Sequence, residues 1–320
     1  LKFFKMLTRR HIRLKVMQNI YALKISDFQY TKETEKNLLK SIDSIYELYL
    51  ILLLLLIELL EKAETKFSIS KNKLLSDKKN IFDNQKMIKN KFLNNLKSDL
   101  LLREEINKRD LAIWDLDFKY VDLIYDQLIK SELYSNYIND NKNSFNNHKD
   151  FVSKLFKDII VKDEKLYNYI EDKNINWIDD LPLVNTFILK LINKSKEISP
   201  KRYFLPKLYK DNEDKVFAKK LFKTTLKNYK TYNTEISKKT KNWDTDRIAK
   251  LDYIMLNMAL CELVEFKTIP VKVTLNEYIE ISKEYSTLKS NVFINGVLDA
   301  VVKEFTKKGK IIKEGRGLHE

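Results

Sequence analysis

Glycine and proline are almost missing from this 320-residue chain, with four of each and neither before Pro182. A β-rich protein needs both at its turns. Their absence from the first 181 residues argues against one there and predicts helices joined by short polar loops. Cysteine is reduced to Cys261, which rules out a disulfide framework within the chain. Set in an apolar helical pattern, it reads as a core thiol, suited to a reducing cytoplasm. The three histidines, His11, His148 and His319, stand far from one another and from Cys261, with no metal-ligand spacing. The scarce glycines exclude a phosphate-cradling loop, and no Gly-x-Ser-x-Gly elbow occurs. Asp115 and Asp117 are two apart, so on a helix they would not share a face as an acid/base pair; they read as solvated surface. The longest apolar run, bounded by Glu47 and Glu58, falls short of the ~20 residues that span a bilayer. The opening Leu-Lys-Phe-Phe-Lys has no long apolar stretch and is not read as a signal peptide. These absences leave an enzyme poorly supported and imply no cofactor and no metal.

What is present is charge and helical periodicity. Sixty basic residues face forty-five acidic ones, a formal net charge of +15 that points to a polyanionic partner. Lysine is spread everywhere beside much Asn and Ile, as codons rich in A and T would produce, so arginine is the better probe. There are eight arginines, and Arg9, Arg10 and Arg13 fall within five residues.

Apolar residues at helical spacing predict helices over 8–24, with Thr8 as N-cap, and 33–66, apolar all round in its middle. Residues 67–110 read as helix plus loop. Further helices follow at 117–138, 148–172 and 181–197, with a polar loop at 139–147 and Pro182 near a helix start. The prolines at 200 and 206 mark a linker. Helix 212–240 leads to a helix at about 244–265, opened by Trp243 and Asp244 and expected to be the central buried one. After a break at Pro270, Thr274 and Glu277 form a capping-box pattern, and a last helix covers 290–306. The tail, 307–320, holds three of the four glycines and several lysines and is expected to be disordered and basic. Trp114, Trp177 and Trp243 are read as core. No internal repeat is seen.

Arg9, Arg10 and Arg13 can share one helical face, being i,i+4 and i,i+3 pairs. They sit in first turns where the macrodipole disfavours cations, and they repel one another. Local stability does not account for them. Either they are a solvated basic terminus, or an external anion relieves both penalties; arginine binds phosphate bidentately and stacks on bases.

Leu7–Tyr21, with its arginine-rich start and Gln18…Tyr21, resembles the amino-terminal helix of the NusB family. Asn242–Ile248, Ala259–Leu263, Ile269–Glu277 and Phe293–Asp299 resemble that family in order and spacing. The likeness covers about residues 7–25 and 212–305. It implies an all-α fold, a NusB-like bundle of two packed helical subdomains with a large helical insertion. The division is 1–28, first core helix; 29–211, insertion; 212–306, C-terminal core; and 307–320, tail.

The resemblance further implies a transcription antitermination factor. It would bind boxA-type single-stranded RNA together with NusE, a small-subunit ribosomal protein, within an RNA polymerase complex. Carried over by position, the RNA-facing groups are Arg9, Arg10, Arg13, Lys289 and Phe293, with Tyr21 at the same surface. Glu262 matches an acidic position on the NusE-facing side. Phe293 has two readings, a base-stacking ring or part of the stripe with Val297 and Val301. Gly296, inside the last helix, serves either close helix packing or close approach of RNA. Two other roles are compatible with the sequence: a helical scaffold that binds protein only, and an accessory to an RNA cytosine methyltransferase whose catalytic domain would be a separate chain.

Overall fold

The computed structural model describes residues 5–26, 30–72, 85–240 and 249–318. These form fourteen α-helices with short 3-10 and π turns, and no strand among the described residues. The fold class is all-α, as expected. In chain order the helices are α1 (Arg9–Ile25), α2 (Lys32–Asn72), α3 (Gln85–Ile88), α4 (Lys91–Lys97), α5 (Leu100–Lys108), α6 (Phe118–Lys130), α7 (Glu132–Asn139), α8 (Phe145–Leu155), α9 (Glu164–Lys173), α10 (Leu181–Lys194), α11 (Asn212–Lys239), α12 (Lys250–Glu265), α13 (Val271–Tyr285) and α14 (Ser290–Lys307). They gather into two compact units: an extension unit, residues 43–207, and a terminal unit, residues 5–42 with 208–320. The compact units divide at 42/43, inside the continuous helix α2, and at 207/208.

The extension unit is organised around the leucine-rich middle of α2. Leu48 to Leu53 and Leu55 to Ile57 are all buried. An apolar helix offers its neighbours no side-chain acceptors, so buried polar rings bond to its backbone instead. The Trp114 indole donates to the Ile51 carbonyl at 3.0 Å and the Trp177 indole to the Ser44 carbonyl at 2.9 Å. Both tryptophans are core, as expected; Trp243 lies outside the described residues. A second cluster forms where Asn90 caps α4. Its side-chain oxygen accepts from the backbone of Phe92 and Leu93, and its amide donates to the Tyr137 hydroxyl and the His148 carbonyl. Tyr137 stacks on Phe151, ring centroids 3.8 Å apart. The expected helix 117–138 is broken at Ser131, whose hydroxyl caps α7. The region 148–172 is likewise two helices, α8 and α9, joined through a π turn at Phe156–Ile160.

In the terminal unit α12 is the central element. Every residue from Ile254 to Leu263 is buried, including the free thiol of Cys261, which burial pushes up to about 11. Helices α1, α11, α13 and α14 pack around it. Asp252, buried near its start, accepts hydrogen bonds from Ser286 at 2.5 Å and Ser290 at 2.7 Å and so pins the first turn of α14. The expected opening of α12 by Trp243 and Asp244 lies outside the described residues.

Two expectations need correction here. Thr274 and Glu277 are not a capping box: α13 begins at Val271 with Pro270 as N-cap, so both residues are inside the helix and their side chains serve tertiary contacts. The tail is not structureless. Residues 311–318 lie against the C-terminal end of α12, where Glu314 N donates to the Lys267 carbonyl at 3.0 Å and Lys313 Nζ to the Phe266 carbonyl at 3.0 Å. The last carbonyls of a helix have no intrahelical partner, and Lys313 supplies one. The glycines taken as a sign of disorder are turn residues: Gly309 and Gly315 have φ of +63° and +55°.

Candidate nucleic-acid interface

The first turn of α1 is set by Thr8, the extended N-cap, whose backbone N–H donates to Nδ1 of His11 at 3.0 Å. That bond needs an unprotonated Nδ1. The His11 pKa is lowered, first by burial and then by the charge of Arg10. With the start fixed, Arg9, Arg10 and Arg13 project toward α11, α12 and α13, and each meets a carboxylate of the fold. Arg9 Nε lies 3.2 Å from Asp214 Oδ1, and its guanidinium sits over the Phe217 ring, 5.0 Å from the centroid. Arg10 engages Glu277 in a fork, Nε to Oε2 and Nη2 to Oε1, both at 3.1 Å. The hydrogen bonds it donates to Glu277 hold its guanidinium pKa above the ordinary arginine value, against the opposing effect of burial. Arg13 makes the tightest fork, Nε to Glu262 Oε2 at 2.8 Å and Nη2 to Oε1 at 2.7 Å, with Nη1 3.4 Å from Glu277.

The depth of the last pair decides its role. The side chains of Arg13 and Glu262 are 2 % and 0 % exposed. Burial alone would pull the arginine down, but the charge and hydrogen bonds of Glu262 outweigh it. Glu262 also accepts from the Thr274 hydroxyl at 2.8 Å and the Tyr278 hydroxyl at 3.4 Å. The reading of Arg13 as an RNA-facing group and of Glu262 as NusE-facing is therefore corrected. The two side chains satisfy each other inside the bundle, because a buried charge survives only when paired and hydrogen-bonded.

Arg9 and Arg10 remain at a surface, their side chains 38 % and 36 % exposed. They line an open groove of about 720 Å³ with His11, Pro270, Val273 and Arg316. A guanidinium has five N–H donors. The hydrogen bonds to Asp214 and Glu277 use one on Arg9 and two on Arg10, so each can be oriented by its carboxylate and still offer donors outward.

The other expected groups are not in this groove. Tyr21 is 38 % exposed and borders a separate cleft of about 300 Å³ with Lys24, Tyr229 and Tyr253, where Lys24 Nζ lies 4.0 Å from the Tyr229 ring centroid. Lys289 is exposed at the N-cap of α14. Phe293 is only 5 % exposed, which corrects the base-stacking reading: it belongs to the apolar stripe with Val297 and Val301. Gly296 has nothing within 4 Å of where a Cβ would stand, so close helix packing does not explain it. Sequence reasoning missed Asp214 and Glu277, which orient the arginines, and Arg316. Glycines on both sides of Arg316 were the available signal, since they mark a tightly turned arginine. Among the described residues no group of His, Cys, Asp or Glu is placed to hold a metal, and no helix is long and apolar enough to cross a membrane.

The terminal unit thus defines an all-helical protein with an arginine-bearing first helix clamped by carboxylates onto a buried central helix. The NusB family model matches residues 183–303. The Transcription antitermination protein NusB of Salinibacter ruber (strain DSM 13855 / M31) is 42 % identical over 111 residues, 35 % of this chain and 69 % of that protein. The protein of the same name from Chloroherpeton thalassium (strain ATCC 35110 / GB-78) is 40 % identical over 108 residues, 34 % of this chain and 51 % of that one. That of Methylacidiphilum infernorum (isolate V4) is 36 % identical over 98 residues, 31 % and 68 % respectively. This chain belongs to the NusB family. No solved structure matches it. Glu262, Lys289 and Phe293 fall inside the family match, whereas Arg9, Arg10, Arg13, Tyr21 and Arg316 fall outside it.

Proposed function

We propose that this chain is a transcription antitermination factor that binds a short boxA-type single-stranded RNA together with NusE. The observation that carries the reading is the groove at the start of α1, where Arg9 and Arg10 are partly open yet held at fixed positions. It occurs in a chain whose relatives are named transcription antitermination proteins. The role is binding, without a reaction. RNA phosphates would take the remaining guanidinium donors of Arg9 and Arg10, while Arg13 and Glu262 hold α1 in place from beneath. By the family resemblance, Tyr21 and Lys289 would contact RNA outside the groove.

The carboxylates set the energetics. Arg9 and Arg10 are already paired with Asp214 and Glu277 and Arg13 is buried, so they neutralise RNA phosphates less fully than three free arginines would, fewer cations leave the RNA, and the salt dependence is correspondingly shallow. Discrimination then depends on NusE and on base contacts more than on charge. The test is a fluorescence titration of a boxA-type RNA and a scrambled RNA, with and without NusE, across a salt series. Sequence-selective binding that tightens with NusE is expected. Weak binding indifferent to both RNA sequence and NusE would overturn the reading.

A further inference from the structure

The sequence assigns the anion-binding role to arginines on α1, yet each of these is matched by an acid of the fold. Arg316 also lines the groove, is exposed, and has no carboxylate partner among the described residues. It comes from the segment after α14, beyond the family match that ends at 303. Its position is built. Lys313 caps the end of α12 through the Phe266 carbonyl, Lys267 Nζ pairs with Glu314 Oε1 at 2.8 Å, and Glu314 N bonds the Lys267 carbonyl. Gly317 is buried directly against that same carbonyl, where an added Cβ would collide with Lys267 O. Glycine is thus required on the C-terminal side of Arg316, and on the other side Gly315 takes the left-handed backbone.

We propose that residues 311–318 form a strap that delivers Arg316 to the groove as its principal phosphate-binding group, with Arg9 and Arg10 as oriented flanking donors. This rests on the RNA-binding reading above for the identity of the polyanion, not for the site itself. An unpaired arginine can neutralise a phosphate in full, which frees the cations condensed on the nucleic acid there, and it binds bidentately. Arg9 and Arg10 each begin from an internal ion pair and gain less.

The experiment uses the full chain and two probes: a fluorescein-labelled boxA-type RNA with NusE present, and inorganic tripolyphosphate. Arg316→Ala is expected to weaken RNA binding several-fold and to reduce the slope of log affinity against log salt by about 0.7, the increment for one phosphate on a single strand. Arg316→Lys should keep much of the slope. Gly317→Val, which leaves Arg316 in the sequence but lifts the strap, should reproduce the Arg316→Ala loss while circular dichroism stays unchanged. RNA binding that Arg316→Ala and Gly317→Val leave untouched would overturn the strap and spare the function. Arg316-dependent binding of tripolyphosphate without any RNA binding would support the strap and overturn the function. Binding of neither probe would overturn both.

Discussion

Replacing Arg13 with alanine strands the Glu262 carboxylate, which is fully buried. Two charge-assisted bonds of 2.8 and 2.7 Å vanish, leaving the Thr274 hydroxyl at 2.8 Å and the Tyr278 hydroxyl at 3.4 Å as donors. Breaking a buried pair from one side costs roughly 3–5 kcal/mol. For a unit of this size each kcal/mol moves the melting temperature by about 2–4 °C, so the terminal unit should melt roughly 6–20 °C lower. Glu262→Lys should be worse, because a second cation joins Arg13 in a closed space. Replacing both partners, Arg13→Met with Glu262→Leu, should restore most of the loss, since paired apolar groups of similar volume are often neutral there. Scanning calorimetry of the full chain, with a boxA-type RNA titration of each folded variant, separates the roles. A chain with Arg13→Ala that melts like the wild type but loses RNA affinity would refute the reasoning and return Arg13 to the RNA surface.

Gly296→Ala should raise stability by about 1 kcal/mol, because the site is helical, has a negative φ and has open space for the methyl group; a fall in melting temperature would show an unseen contact. In the extension unit, two groups titrate with opposite consequences between pH 5 and 7. His148 is buried, its Nδ1 accepts from Lys91 N at 2.8 Å, and burial lowers its pKa, so the folded state binds fewer protons than the unfolded one; its stabilisation is whole above about 6.5 and is lost as the pH falls. Glu58 is raised to about 7 by burial first and by Glu61 next, so its contribution is whole in acid and is lost as the pH rises through 7. Glu58→Gln should therefore steepen the acid loss of stability, measured as melting temperature against pH, and His148→Asn should flatten it; parallel curves for all three proteins would contradict both assignments.

The helical class, the core role of Trp114 and Trp177, and the buried central helix were legible because each follows from local periodicity and scarce glycine. The capping box was misread because Thr274 and Glu277 fit a local template, while their side chains answer to Glu262 and Arg10, far away in sequence. The arginine face shows the same limit more sharply. From sequence, three clustered cations at a helix start have no internal compensation. The compensation exists, but it is supplied by Asp214, Glu262 and Glu277, more than 200 residues later. Periodicity says which face of α1 is charged and cannot say whether that face meets water or acid. The tail failed for a related reason: three glycines look like disorder until a carbonyl is found packed against one of them.

Charge, read over the whole chain, conceals where it resides. Residues 43–207 carry 28 basic and 26 acidic side chains, whereas residues 5–42 and 208–320 carry 31 and 19. The terminal unit is the shorter of the two, so its basic residues are denser and its acids sparser, by similar margins. The asymmetry is therefore shared between more bases and fewer acids in the terminal unit. Codon drift that adds lysine everywhere does not by itself enrich one unit in bases while thinning its acids, so the positive excess of that unit needs a cause of its own. Several of its remaining acids are committed to specific cations: Asp214 to Arg9, Glu262 to Arg13, Glu277 to Arg10 and Glu304 to Lys239 and Lys308. A unit with 31 basic and 19 acidic side chains favours a polyanion at long range, while these committed acids fix a few arginines at short range. The near-neutral extension has no such field, and an RNA role there would need base contacts rather than charge.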